Sequence, residues 1–92
     1  GEIACFRDKK LAWKKQLSDK TLGALQLIDL HYNGEMYVLA STENTIHLWD
    51  LKGAYATGFP LNLEVEATTP VKFYRWRERS YFLIGNAKNK TL

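Results

Sequence analysis

The apolar positions along this chain form short runs that alternate with polar residues and end at turn-forming residues. Apolar residues spaced three and four apart, which mark an amphipathic helix, are almost absent, and residues 8–20 make no continuous apolar stripe. The runs are instead rich in β-branched and aromatic side chains and are bounded by glycine, proline and asparagine. This pattern predicts an all-β protein.

The middle of the chain begins with two runs separated by a strong turn signal. The first run covers residues 25–32 and the second covers residues 35–41. Between them lies Asn33-Gly34, a dipeptide that readily adopts the left-handed conformations of a tight hairpin. The pattern therefore predicts two antiparallel strands joined by a reversal at this dipeptide.

A third strand is predicted directly after the second. The polar residues 42–44 form a short tip and lead into the apolar run of residues 45–51, which contains Trp49-Asp50 and is followed by Gly53. Three consecutive antiparallel strands with short connections make a β-meander.

The next segment predicts a crossing connection and a fourth strand. Gly58 and the Phe59-Pro60 pair interrupt the pattern, and proline does not fit the middle of a central strand. A strand is expected from about residue 61 to residue 65, followed by a turn at residues 68–70.

The second half of the chain repeats the order of these elements. Matched positions lie about 45 residues apart, with a small drift in spacing between pairs. The matches are Leu25 with Val71, Leu27 with Phe73, residues 37–39 with residues 81–83, and residues 45–46 with residues 91–92. At the start of the chain, Ile3, Phe6 and Leu17 match Ile46, Trp49 and Leu61.

A period of this length with four short strands is that of a β-propeller blade. Residues 38–53, VLASTENTIHLWDLKG, resemble the closing part of a WD repeat, in which a strand ending in Trp-Asp is followed by a turn glycine. Residues 5–17, CFRDKKLAWKKQL, resemble the repeats of quinoprotein (pyrroloquinoline-quinone) propellers, in which an aspartate-containing turn leads to a Trp-Lys strand.

The resemblance implies that Trp49 packs between neighbouring blades, while Asp50 and Gly53 set the turn to the next blade. The fold expectation is two propeller-type blades built as four-stranded antiparallel meanders, with a small β-sandwich as the alternative. The residues expected to maintain the repeat are Trp13, Gly34, Trp49, Asp50, Gly53, Phe59 and Pro60.

The expected organisation is a single β domain or a propeller fragment over residues 1–92. Residues 1–22 would hold an outer strand and a crossing segment, residues 23–53 the first blade, and residues 54–92 a crossing segment with the second blade. Two blades cannot close a ring, since propellers have roughly four to eight. Three explanations stay open: a segment of a longer propeller, several copies in which the first strand of one completes the last blade of another, or a sandwich of the two repeats.

Composition limits the chemistry further. With 46% hydrophobic and 25% charged residues among 92, the chain is expected to fold as one domain or part of one. Cys5 is the only cysteine, which excludes an internal disulfide and a cysteine-type zinc site. No apolar run is long enough to span a membrane.

Motifs for catalysis or for cofactor binding are missing from the sequence. His31 and His47 lie too far apart for a short metal-binding motif, and neither a nucleophile elbow nor a glycine-rich phosphate loop is present. Glu64 and Glu66 alternate with Val65 and are expected on one solvated strand face. The sequence therefore predicts no enzyme, no cofactor and no metal site.

One stretch is a candidate for recognition. Residues 74–82, YRWRERSYF, interleave arginines with aromatic side chains, and residues 71–92 carry six basic residues against Glu78 alone. Such a stretch suits a protein interface or stacking on nucleic acid, or the aromatics pack between blades while the arginines project outward. The candidate interaction residues are Arg75, Trp76, Arg77, Arg79 and Tyr81.

These observations together predict a non-catalytic propeller-type interaction or scaffold module. It would bind a protein partner through the basic-aromatic strand and through loops at residues 41–45 and 85–90. The alternatives are a segment of a larger quinoprotein-like enzyme whose active site lies elsewhere, or a nucleic-acid-binding module. Self-association or the addition of missing blades is also expected.

Overall fold

The computed structural model describes residues 1–87 and shows an all-β chain in which every strand pairing is antiparallel. The predicted all-β class is thereby confirmed. The part of the second predicted blade in residues 88–92 lies outside the described residues. The strands are β1 (Glu2–Arg7), β2 (Lys10–Gln16), β3 (Gln26–Ile28), β4 (Tyr37–Ser41), β5 (Thr45–Asp50), β6 (Leu61–Asn62), β7 (Lys72–Trp76) and β8 (Arg79–Leu83).

These strands form three sheets: the hairpin β1–β2, the four-stranded meander β3-β4-β5-β6, and the hairpin β7–β8. Both hairpins close through two residues with positive φ, Asp8-Lys9 (50° and 68°) and Arg77-Glu78 (50° and 65°). Two successive left-handed residues give a turn whose twist matches that of the flanking strands. The described residues contain no helix long and apolar enough to cross a membrane.

At the start of the chain, the segment expected to hold an outer strand and a crossing contains the strands β1 and β2, and β2 includes the Trp13-Lys14 pair that the resemblance to quinoprotein repeats placed in a strand. The reversal at Asp8-Lys9 sends the chain back along β1, and Cys5 pairs with Trp13. Neither turn residue is a glycine, so the local sequence carried only a weak turn signal. Residues 1–22 therefore contain a complete hairpin.

The reversal between β3 and β4 is a wide loop, and the predicted tight hairpin at Asn33-Gly34 is wrong. The Asp29 carboxylate accepts hydrogen bonds from the backbone N–H groups of Asn33 (3.0 Å) and Gly34 (2.9 Å). Tyr32 and Gly34 take positive φ, whereas Asn33 does not. An aspartate that satisfies two loop amides stabilises the longer loop instead of a two-residue turn.

The fourth strand of the central sheet is shorter than expected. β6 covers Leu61–Asn62 instead of residues 61–65, and Leu63 already leaves the ladder to donate its N–H to the carbonyl of Asn44 (2.8 Å). The Phe59-Pro60 peptide bond before β6 is cis. The Phe59 ring packs edge-on against Phe82, with centroids 5.6 Å apart.

The three sheets stack in chain order as layers with the four-stranded sheet in the middle. One face of the middle sheet packs against β7–β8 in a cluster of Ile28, Leu30, Leu39, Ile46, Leu48 and Val71, with Phe73 and Phe82 beside it. The opposite face packs against β1–β2 in a cluster of Ile3, Leu17, Ala40 and Trp49, with Trp13 beside it. The core is therefore divided into two apolar layers, one on each side of the middle sheet.

The turn after β5 packs against the N-terminal hairpin. The Asp50 carboxylate accepts hydrogen bonds from the N–H groups of Lys52 (2.8 Å) and Ala54 (3.0 Å), which closes the turn. The Trp13 indole N–H donates to the carbonyl of Leu51 at 2.9 Å. Gly53, with φ of 93°, lies directly under the Trp13 ring.

We expect Gly53→Ala to destabilise the fold more than Gly58→Ala does. The two glycines have nearly the same φ, 93° and 90°, but a Cβ at Gly53 would lie 3.0–3.2 Å from the Trp13 ring, whereas one at Gly58 meets nothing within 4 Å. The left-handed backbone alone costs about 1–2 kcal/mol of unfolding free energy. The crowding of Trp13 adds about 1–3 kcal/mol at Gly53. Urea unfolding of both variants measures the difference, and equal losses would show that the contact with Trp13 contributes nothing.

Candidate interaction surface

The outer side of the β7–β8 hairpin is an exposed aromatic surface. Successive side chains of a strand point to opposite faces, and Phe73 and Phe82, which are Cα partners, face the middle sheet. Their neighbours point away from it, and Tyr74, Trp76 and Tyr81 are 51%, 63% and 41% exposed. We call this surface the outer aromatic face and define it as Lys72, Tyr74, Trp76, Arg79, Tyr81 and Leu83.

The cross-strand pairs on this face place apolar and basic groups next to each other. Tyr74 pairs with Tyr81 in the centre of the hairpin, and Trp76 pairs with Arg79 at the turn. The Arg77 guanidinium lies 5.4 Å from the Trp76 ring centroid, within cation–π range. Trp76 is thus flanked by two positive charges at the exposed tip.

Arg75 does not belong to this surface, although the sequence pattern placed it there. Its position in the strand turns it towards the middle sheet, where its Nη1 donates to the carbonyl of Leu30 at 2.8 Å. The same guanidinium lies 4.7 Å from the Tyr32 ring centroid. Strand alternation places Arg75 on the opposite face of the hairpin from Trp76. On that face it contacts and stabilises the wide loop between β3 and β4.

A shallow groove of about 280 Å³ borders the outer aromatic face. It has the size for a single side chain of a partner and is smaller than typical sites for small organic ligands. Its lining residues are Thr69, Pro70, Lys72, Tyr74, Leu83 and Ile84.

The loops expected to carry contacts have a structural role in the described part of the chain. In residues 41–45, the buried Thr42 hydroxyl accepts hydrogen bonds from the N–H groups of Asn44 (3.3 Å) and Thr45 (3.1 Å). In the second loop, the Gly85 N–H donates to the Thr69 hydroxyl at 2.7 Å. Residues 88–90 of that loop lie outside the described residues.

A buried aromatic stack that the sequence analysis did not predict lies on the opposite side of the middle sheet. The His47 ring stacks on Trp49 with centroids 5.2 Å apart and an interplanar angle of 12°. Its Nδ1 is hydrogen-bonded to the Tyr55 hydroxyl at 2.8 Å. Burial lowers the pKa of the His47 imidazole. His47 is therefore a buried residue with a hydrogen bond in the core.

Other candidate groups are not brought together. His31 lies at an exposed position and contacts Tyr37 edge-on, with centroids 6.0 Å apart. Glu64 and Glu66 lie beyond the end of β6, so they do not share a strand face. Among residues 1–87, no group of three or more histidine, cysteine, aspartate or glutamate side chains is arranged to hold a metal ion.

Comparison of the chain with protein-family models, with curated proteins and with solved structures found no match. The class of this protein is therefore assigned from the structure alone, which shows an antiparallel all-β fold of three stacked sheets.

We expect acidification to destabilise the fold through His47. Its pKa is lowered in the folded state, so below about pH 6.5 the unfolded chain binds a proton that the folded chain binds less readily, and stability falls as the pH falls. Urea unfolding midpoints measured between about pH 8 and about pH 5.5 report this effect, since carboxylates titrate at lower pH. His47→Gln should flatten the profile. A profile unaffected by His47→Gln would contradict this assignment.

Proposed function

We propose that this chain is a non-catalytic interaction module of the β-propeller type, which binds a protein partner through the outer aromatic face. The observation that carries the proposal is a continuous exposed surface of Tyr74, Trp76, Tyr81 and Leu83 beside basic side chains. Tryptophan, tyrosine and arginine supply most of the binding energy in protein interfaces. Contiguous apolar patches of this kind mark interaction sites.

The layered arrangement supports the propeller part of the proposal. A propeller is a radial series of four-stranded antiparallel sheets that pack face to face. Here a complete four-stranded meander lies between two hairpins, and the fully buried Trp49 fills one of the two interfaces. The function itself is argued from the surface, because many unrelated functions share one fold.

A protein partner is favoured over nucleic acid by the position of the charges. Binding to a phosphate backbone needs a track of basic side chains. Arg75 is engaged with Leu30 and Tyr32, and Glu78 lies at the turn between Arg77 and Arg79. The remaining basic groups on the face flank its aromatic centre, as expected for a polar rim around an apolar hot spot.

The experiment is selection from a displayed random-peptide library on the chain, immobilised sparsely so that copies do not touch. Selected peptides should bind the wild type at least about tenfold more tightly than a Trp76→Ser/Tyr81→Ser variant, because hot-spot aromatics dominate affinity. The matched control is Val65→Ser, which removes an exposed apolar side chain (53% exposed) outside this face and should bind like the wild type.

Peptides that bind both variants equally well would contradict the proposed site. The nucleic-acid alternative is tested in parallel with a fluorescein-labelled single-stranded oligothymidylate. Binding of this probe with an affinity that falls steeply with salt, and less steeply in Arg77→Gln, would replace the protein partner by nucleic acid.

A further inference from the structure

We propose that the partner is a second copy of this chain, and that β8 of one copy pairs antiparallel with β1 of the other. The hairpins β7–β8 and β1–β2 would then form one four-stranded sheet like the middle sheet. The inference rests on the proposed function, because it takes the outer aromatic face as an interface, and it identifies the protein partner as a second copy of this chain.

The edges of the two hairpins are available for this pairing. In the part of the chain that the structure describes, β1 is paired only with β2, and β8 is paired only with β7. An edge strand presents a row of N–H and C=O groups that can pair with another strand. Two-stranded sheets are also marginal in water without further strands or packing.

The hairpin β7–β8 has the same register as the first half of the middle sheet. In the middle sheet, Leu27 pairs with Val38, and at the matched positions of the hairpin Phe73 pairs with Phe82. The flanking pairs match as well: Gln26 with Leu39 and Ile28 with Tyr37 correspond to Lys72 with Leu83 and Tyr74 with Tyr81. Strand β8 therefore corresponds to β4, which in the middle sheet has a further neighbour, β5.

The hairpin β1–β2 corresponds to the second half of the middle sheet. Ile3 and Ile46 are both buried, at 4% and 1% exposure, on matched strands. Phe6 pairs with Leu11, as Trp49 pairs with Tyr55 at the matched position of the middle sheet. One end of the molecule thus carries the half-sheet that the other end lacks.

The β4–β5 pairing predicts the register between copies. Val38 pairs with Trp49, Leu39 with Leu48 and Ser41 with Ile46. Transferred to the matched strands, these pairs become Phe82 with Phe6, Leu83 with Cys5, and Gly85 with Ile3 of the second copy. The partly exposed Cys5 would therefore lie directly opposite Leu83 across the new strand boundary.

This assembly also covers the exposed apolar side chains. Leu27 (57% exposed) lies on the face of the middle sheet that carries Val38 and Trp49, beside the area that β1–β2 covers. In the assembled sheet, the outer aromatic face of one copy would lie over this position of the next copy. Phe6, 67% exposed, would extend the layer formed by Phe73 and Phe82. One contact thus accounts for exposed groups on all three sheets.

The proposed contact uses different surfaces on the two copies, so it repeats in one direction and closes only as a ring. Each copy contributes one complete sheet and two half-sheets, which is the equivalent of two blades. A ring of roughly four to eight blades would therefore contain roughly two to four copies.

The experiment is oxidative cross-linking of Leu83→Cys with the native Cys5. Within one chain these positions lie on opposite sides of the middle sheet, about 20 Å apart given a sheet spacing of about 10 Å, and cannot form a disulfide. Between copies they would be Cα partners. The expected product is a disulfide-linked oligomer on a non-reducing gel, with the Cys5 peptide joined to the peptide of the introduced thiol.

The matched control is Lys72→Cys. Lys72 is the Cα partner of Leu83 on the same exposed face, but it lies one strand further from the proposed boundary, about 10 Å from Cys5 of the next copy. It should cross-link at least about tenfold more slowly, since a disulfide needs Cα atoms within about 7 Å. Equal rates for the two variants would overturn the proposal.

Hydrogen–deuterium exchange on the unmodified chain provides a test without substitutions. The amides of Ala4, Phe6, Phe82 and Ile84 should become more protected as the protein concentration rises. Backbone N–H groups alternate in direction along a strand, and these four point away from their own hairpin and towards the boundary. Protection that does not depend on concentration would overturn the second-copy partner. The protein-binding function would still stand in that case if selected peptides required Trp76 and Tyr81.

Discussion

The enclosure of Trp49 between two sheets is the contact on which the arrangement of this molecule depends. The ring is fully buried and contacts Trp13 of the N-terminal hairpin, His47 on its own strand and Tyr55 after the turn. Its indole N–H has no hydrogen-bond partner among the described residues, which costs about 1–3 kcal/mol. Burial of the ring, worth about 4–6 kcal/mol for an area of about 150–250 Å², exceeds that cost. The absence of a side chain at Gly53 lets Trp13 close the other side of the contact.

A sheet with apolar side chains on both faces needs a packed layer on each side to bury them. The middle sheet has both layers within the chain, with β1–β2 on one face and β7–β8 on the other. Each hairpin packs on the middle sheet with one face and leaves its other face exposed, with Phe6 on the first and Trp76 on the second. The exposed aromatic surface and the unpaired edges are therefore two results of the same layered design. This common origin is why the proposed binding function and the proposed second-copy partner concern the same ends of the molecule.

The sequence predicted the parts of the fold in which side-chain pattern and turn chemistry agree. Strands β4 and β5 were located almost to the residue, because buried apolar side chains and the polar tip at residues 42–44 mark them together. Strand β2 follows from the resemblance of residues 5–17 to quinoprotein repeats, with their turn before a Trp-Lys strand, and the apolar pattern alone does not predict it. The turn before it is built from Asp8 and Lys9 at positive φ, and neither is a glycine. The wide loop after β3 was missed because it depends on the Asp29 carboxylate, four and five residues away from the amides it binds.

The candidate surface was predicted in composition but not in geometry. The stretch around Trp76 was recognised from its mixture of arginine and aromatic residues, yet the position of Arg75 depends on which strand face meets the middle sheet, and that is a tertiary property. The stacking of His47 on Trp49 likewise requires the sheet to exist before the two rings can meet.

If the two ends of the molecule are complementary halves of one sheet, as proposed, the unmodified chain in solution has the molar mass of an assembly of several copies. Size-exclusion chromatography with multi-angle light scattering, run over a range of protein concentrations, gives this mass. We expect one discrete species of roughly two to four copies, since each copy supplies the equivalent of two blades. A mass equal to one chain at every concentration would contradict it.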